Sequence, residues 1–315
     1  MAAAGDLMVH RFPQGKAVDA VRWLPPVSAF DRFVVAAAHD ADAGVSAVEI
    51  LSVALFQENE EPNKPSLLPR ASWPSTSRIS SLTSAKALTK PLPIALSTFA
   101  GSLHYLFVDP LEGSVESELS VAADARSFHR GPISALDLQV DGRACVSVGE
   151  DGRVNLVSLG ETGLENRRVH DSRGLVSYTA VRWGSPAEFA TGGLGFGIQW
   201  WDQRKPGGFV SQFKGNWTQG STSGIVHSID IHPSRKHICI AGGSSGTVFA
   251  WDLRWQKQPI ILSGIGFKEQ AQTSSEKDGM LTVLEQGYSL LFGVGDDSHA
   301  YATERFLDNI LRIRP

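Results

Sequence analysis

The chain has little of what marks a disulfide-built, metal-stapled or polyanion-coating protein. Its 315 residues include only two cysteines, three methionines and four tyrosines. Two thiols cannot build a disulfide framework or a zinc pattern. Cys145 and Cys239 sit in the apolar runs Ala-Cys-Val-Ser and Ile-Cys-Ile-Ala, so they read as buried, reduced side chains of an intracellular protein. Charged residues make up 20%, the net charge is −4, and there is no long run of lysine or arginine. A general binder of nucleic acid or membrane surfaces is usually basic, so neither partner is expected. No apolar run approaches a membrane span. The start, Met1–Asp6, lacks the basic and apolar parts of a secretory signal.

Hydrophobic residues, at 42%, are enough for a sizeable core. The stretches Trp201-Asp202-Gln203-Arg204 and Trp251-Asp252-Leu253-Arg254 lie 50 residues apart. Each closes a β-prone run that follows a glycine-rich turn. A repeat of this length with a Trp-Asp ending is the signature of a propeller blade. Alignment on Asp202 and Asp252 places Ser158, Val108 and Ser52 at the same point, with steps of 56, 50, 44 and 50 residues from the first to the last. A second register supports it. Ala20–Trp23, Ile79–Leu82, Ala135–Leu138, Ala180–Trp183 and Ser228–Ile231 read as the innermost strands of successive blades, small where a channel wall is crowded.

After Arg254 the rhythm shortens. The strand-like runs from Gly279, Ser289 and His299 arrive without first strands. The expectation is therefore an all-β, WD40-like β-propeller of seven blades with the last two abbreviated. The alternative is six blades or an imperfectly closed ring. Residues 1–315 form a single propeller domain. Flexible loops are expected at about 57–77, acidic and then Pro/Ser-rich, at 205–224, Gly/Ser-rich with Phe209, Phe213 and Trp217, and at 264–277, which is polar.

Residue sets that could carry chemistry have structural counterparts. In full WD repeats a buried His, Ser or Thr, Asp and Trp hydrogen-bond in series and lock a blade. His129, Ser147 and Asp151 fit three of those places, with Val157 where the tryptophan would stand. The same residue types make a Ser-His-Asp catalytic set, but no Gly-x-Ser-x-Gly elbow frames Ser147. Trp201, Asp202, Trp251 and Asp252 join the structural set. His227, His232 and His237 have no metal-ligand spacing. The glycines of 192–197 precede a strand rather than opening a phosphate-binding helix. The acids Glu58, Glu60, Glu61, Asp296 and Asp297 read as solvated. No catalytic residue, cofactor, metal or small-molecule substrate is expected. Trp73, Trp217 and Trp255 lie in or beside loops, where binding residues concentrate. Trp217, with Arg204 and Arg254, is a candidate partner contact.

Val148–Leu156, Trp201–Arg204, His232-Pro233 followed by Gly242-Gly243 and Trp251–Arg254, together with Leu291–Asp297 and Ala300–Arg305, resemble the small WD-repeat nucleoporin of the Y-shaped outer-ring complex of the nuclear pore. The Ala-rich, Pro-interrupted first third suggests a plant member. The resemblance implies a non-enzymatic, cofactor-free scaffold at the nuclear envelope. Such a subunit docks on larger nucleoporins and supports protein and mRNA transport. It departs from the family where the sixth blade's opening half and the seventh's first strand should be. A rival reading uses the Trp-Asp-x-Arg endings, which resemble the box by which WD-repeat substrate receptors engage the adaptor of cullin-type ubiquitin ligases. There Arg204 and Arg254 would contact the adaptor.

Overall fold

The computed structural model describes residues 15–27, 32–54, 66–124, 128–194, 196–213, 225–232, 235–243, 248–254, 260–262, 279–285, 288–294 and 300–301. Among them there is no helix. The first sheet is β1 (Ala17–Trp23), β2 (Arg32–Asp40), β3 (Val45–Ala54) and β4 (Ser66–Ser75). The second is β5 (Ile79–Ser84), β6 (Leu92–Thr98), β7 (Leu103–Asp109) and β8 (Ser114–Val121). The third is β9 (Ile133–Leu138), β10 (Ala144–Gly149), β11 (Arg153–Leu159) and β12 (Leu164–Asp171). The fourth is β13 (Tyr178–Ser185), β14 (Glu188–Gly193), β15 (Phe196–Asp202) and β16 (Ser211–Phe213). The fifth is β17 (Val226–Ile231), β18 (Ile238–Gly243), β19 (Val248–Asp252) and β20 (Ile260–Leu262). β21 (Gly279–Glu285), β22 (Tyr288–Val294) and β23 (Ala300–Tyr301) make a sheet of three. Strands pair in chain order within every sheet, all antiparallel, which is the meander of a propeller blade.

The core lies between sheets rather than within one. Ile94 and Leu96 of β6 join Val35 and Ile50 of the first sheet in one cluster, whereas Ala95 between them joins Leu136, Cys145 and Val157 of the third. The pleat sends neighbours to opposite faces, so a middle strand covered by a blade on each side is buried throughout. All seven residues of β6 are buried. The same alternation puts Val146 and Leu156 against Tyr178 and Trp201 of the fourth sheet. The next cluster joins Ile198 and Phe213 to Ile229 and Trp251 of the fifth.

Both sequence registers land as blade positions. Ser52, Val108, Ser158, Asp202 and Asp252 fall in the third strands β3, β7, β11, β15 and β19, and the five inner runs fall in β1, β5, β9, β13 and β17. Three expectations change. Of the segment 57–77, Ser66–Ser75 is strand, pairing Pro69 with Leu51 and Pro74 with Ala47. Proline lacks an amide donor, but an outermost strand needs its donors on one side only. Of the segment 205–224, Ser211–Phe213 is strand, and Phe213 is buried in the core. The runs divided by sequence between a sixth and a seventh blade share one sheet, because Glu285 pairs with Tyr288 across only two residues, a hairpin spacing. The segment 264–277 lies outside the described residues.

Candidate functional site

His129 precedes β9, Ser147 is in the middle of β10, and Asp151 is in the turn between β10 and β11. The fold closes them together. His129 Nδ1 lies 3.1 Å from Asp151 Oδ1, and its Nε2 lies 3.0 Å from both Ser147 Oγ and Asn155 Nδ2. With Nδ1 donating to the carboxylate, Nε2 accepts from the hydroxyl and the amide, which is the neutral tautomer. Asp151 also accepts the backbone amides of Arg130 at 2.8 Å and Arg153 at 3.1 Å. Burial pushes its pKa up, but the His129 ring and these amides hold it below the usual carboxylate range. Ser147 is fully buried and His129 is 1% exposed. A hydroxyl enclosed in this way is out of reach of an external acyl group, whatever its partners.

Arg153 extends the network. It is almost fully buried, and its Nε donates to Asp171 Oδ2 at 3.2 Å. Its Nη1 donates to the Phe128 carbonyl, and Asp151 Oδ2 lies 3.6 Å from its Nε. The guanidinium thus fastens β11 to the connection that carries His129.

The fourth sheet divides the work differently. Trp201 Nε1 donates to Thr191 Oγ1 at 2.9 Å, and Tyr178 Oη donates to Gln199 Oε1 at 3.0 Å. The Trp201 ring stacks on Phe189, with centroids 5.7 Å apart, and meets Phe209 edge-on. Trp201 is therefore brought to Thr191 and not to His129, Ser147 or Asp151. Asn155, Thr191, Gln199, Tyr178 and Arg153 carry no motif of their own. The 44-residue step from Ser158 to Asp202 does map Ser147 onto Thr191, Asn155 onto Gln199 and Val157 onto Trp201. Trp251 occupies the same position in the fifth sheet, opposite Cys239 as Trp201 is opposite Phe189. Burial raises the pKa of Cys145 and Cys239, and both thiols are free and enclosed.

The two Asp-x-Arg endings have one geometry. Arg204 Nε and Nη2 donate to the two carboxylate oxygens of Asp202 at 2.8 and 2.9 Å, and its amide donates to Oδ1 at 3.0 Å. Arg254 repeats this on Asp252 at 2.9, 2.6 and 3.1 Å. The aspartates are buried, while the arginine side chains are 67% and 65% exposed. Hydrogen bonds from the arginines are the main reason both carboxylates sit below their ordinary pKa. Each pair is a bidentate clamp on the turn that leaves a third strand.

Trp73, expected in or beside a loop, is half-buried in β4. Its Nε1 donates to Glu118 Oε2 at 2.9 Å and its ring lies against His104, so it joins the first two sheets. Trp217 and Trp255 lie outside the described residues. Among the described residues no three His, Cys, Asp or Glu side chains gather as a metal site.

No family model matches the chain. It is 51% identical over 291 residues to the nuclear pore complex protein NUP43 of Arabidopsis thaliana, covering 90% of this chain and 80% of that protein. It is 28% identical to mouse nucleoporin Nup43 over 52% of this chain and 44% of that one. With human Nup43 the figures are 31% identity, 37% and 30%. Among solved structures, Sqt1 of Chaetomium thermophilum matches with a TM-score of 0.52 at 18% identity, over 71% of this chain and 55% of that one. That likeness speaks to the fold, a WD40 β-propeller. The relatives named here are nuclear pore proteins, and they give the ligase-receptor reading no support.

Proposed function

The chain belongs to the Nup43 family of nucleoporins, and from that premise we propose that it is a non-enzymatic scaffold subunit of the pore's outer ring. It is a nuclear pore protein of the nuclear envelope and associates with other nucleoporins. In the outer ring it docks on larger partners and supports nucleocytoplasmic transport. The relationship to the Arabidopsis pore protein, which runs along most of both chains, carries this reading. The residues that could be mistaken for a catalytic set support it from the other side. His129, Ser147 and Asp151 are enclosed between blades and act as a structural lock, as do Trp201 and Trp251 with Asp202 and Asp252.

Tagging the protein and purifying it from cell extract at modest salt tests the reading. Outer-ring nucleoporins are expected in the eluate, and fluorescence is expected at the nuclear rim. Recovery of a cullin adaptor instead, with no rim signal, would overturn it.

A further inference from the structure

The His129–Ser147–Asp151 lock lies at the end of the third sheet where β9 begins, because Gly149 pairs with Ile133. β9 starts beside His129 and ends at Leu138, and its neighbours β13 and β17 run the same way to Ser185 and Ile231. At these far ends lies a cleft of about 660 Å³. Its walls include Lys86 from the connection after β5, Val140 after β9, Arg182 and Trp183 of β13, and Lys236 before β18.

Strand ends and loops of five successive blades are stitched together along this face. Ser84 Oγ donates to the Trp23 carbonyl at 3.4 Å, and the amides of Lys86 and Ala87 donate to the Val140 carbonyl at 3.2 and 2.9 Å. Gln139 Nε2 donates to the Pro186 carbonyl at 2.9 Å. Arg182 bridges Asp137 at 3.4 Å and Asp230 at 2.9 Å. A face fixed in this way has little ordering left to do when a partner arrives.

The charges on it are unevenly matched. Arg182 is engaged by its two aspartates. Lys86 and Lys236 are exposed, and neither is paired with a carboxylate among the described residues. Asp141 is the remaining acid of the lining, and its Oδ1 accepts the Arg143 amide at 3.0 Å. His232 is buried and its Nδ1 accepts the Arg235 amide. The Arg182 charge, ahead of burial, pushes the Lys86 ammonium below the ordinary lysine range, opposed by Asp137 and Asp230. An incoming anion would relieve that repulsion. Large apolar side chains are exposed at the same strand ends. Trp23, Leu88 and Val140, at or beyond the matching ends of β1, β5 and β9, are 62%, 51% and 62% exposed. Exposed apolar side chains rimmed by charge mark interaction sites.

We propose that this face, opposite the His129 lock, receives an acidic segment of a partner nucleoporin, its carboxylates on Lys86 and Lys236 and its apolar side chains on Trp23, Leu88 and Val140. The proposal rests on the reading of the chain as a docked pore subunit, and the test keeps the two apart. The probe is a short fluorescein-labelled peptide in which Asp and Glu alternate with Leu, beside a counterpart with Lys in place of the acids. The intact chain is expected to bind the first and not the second, more weakly as salt rises. Lys86→Glu with Lys236→Glu should weaken binding roughly tenfold or more, and Lys86→Gln with Lys236→Gln less. Arg130→Glu, on the lock face, should change nothing. Thermal melts confirm that each variant folds. The proposal falls if the intact chain ignores the acidic peptide or if the folded reversal variants bind it as well as the parent. Tagged parent and reversal variant are then compared in extract. If both recover nucleoporins equally, the assignment of this face is wrong and the docking reading stands. If the parent recovers none yet discriminates the peptides, the docking reading falls and the face stands as an acidic-peptide site.

Discussion

His129 Nε2 and Ser147 Oγ meet at 3.0 Å from positions 18 residues apart, both enclosed by the fold. One atom belongs to the connection entering the third sheet and the other to that sheet's second strand. The contact forms only when β9 and β10 are in register and the turn at Asp151 has closed. It therefore reports on the assembly of the whole blade, and removing it is informative.

Ser147→Ala is expected to lower stability by about 1 kcal/mol, the usual net value of a buried hydrogen bond. Asn155 still serves His129 Nε2, which keeps the loss small. Denaturant titration of parent and variant measures it, and unchanged midpoints would count against the lock.

Trp201→Ala should be far more costly, about 3–5 kcal/mol, because it opens a cavity in a cluster shared by two sheets. Thr191→Val removes only the partner of the indole N–H and should cost about 1 kcal/mol. The ratio of the two losses, read by the same titration, separates packing from hydrogen bonding at this position.

Acid should unfold the protein through its aspartates. Asp151 has a folded-state pKa below the ordinary range, as do Asp202 and Asp252, whose exposed, solvent-screened arginine clamps make their share small. Their contribution is present above the unfolded value of about 3.9 and is lost as pH falls through the lower folded values. Thermal midpoints should fall steeply below about pH 4. Asp151→Asn should begin lower and decline less.

Gly142→Ala is expected to cost about 1–3 kcal/mol. Gly142 has φ +75°, and a Cβ there would run into the Pro93 ring and lie 3.2 Å from Ala85. Chemical denaturation measures the loss, and the neighbouring exposed Asp141→Ala serves as the comparison.

Arg204→Ala combined with Arg254→Ala should leave thermal midpoints nearly unchanged and rim staining intact. The arginines are exposed ends of local clamps, and their salt bridges are screened by solvent. Loss of rim staining with an unchanged melt would move the docking surface to these endings.

Much of the ring was legible because its signals are periodic. The third strands were found from Trp201-Asp202 and Trp251-Asp252, and the inner strands from runs such as Ala180–Trp183. Pro69 and Pro74 disguised β4, since the usual penalty for proline does not apply at an outer edge. The lock at His129, Ser147 and Asp151 was visible as residue types. Its extension through Arg153 was not, because a buried arginine looks in sequence like any surface charge. The cleft between Lys86 and Lys236 was also hidden, since it joins residues from separate blades whose nearness depends on ring geometry.

Each apolar cluster is held in common by two adjacent sheets. No blade in the middle of the series owns an interior that it could keep on its own. Heat or a core lesion anywhere from β5 to β16 thus strips shelter from the leaf on either side, and melting there spreads to its neighbours instead of stopping at one unit.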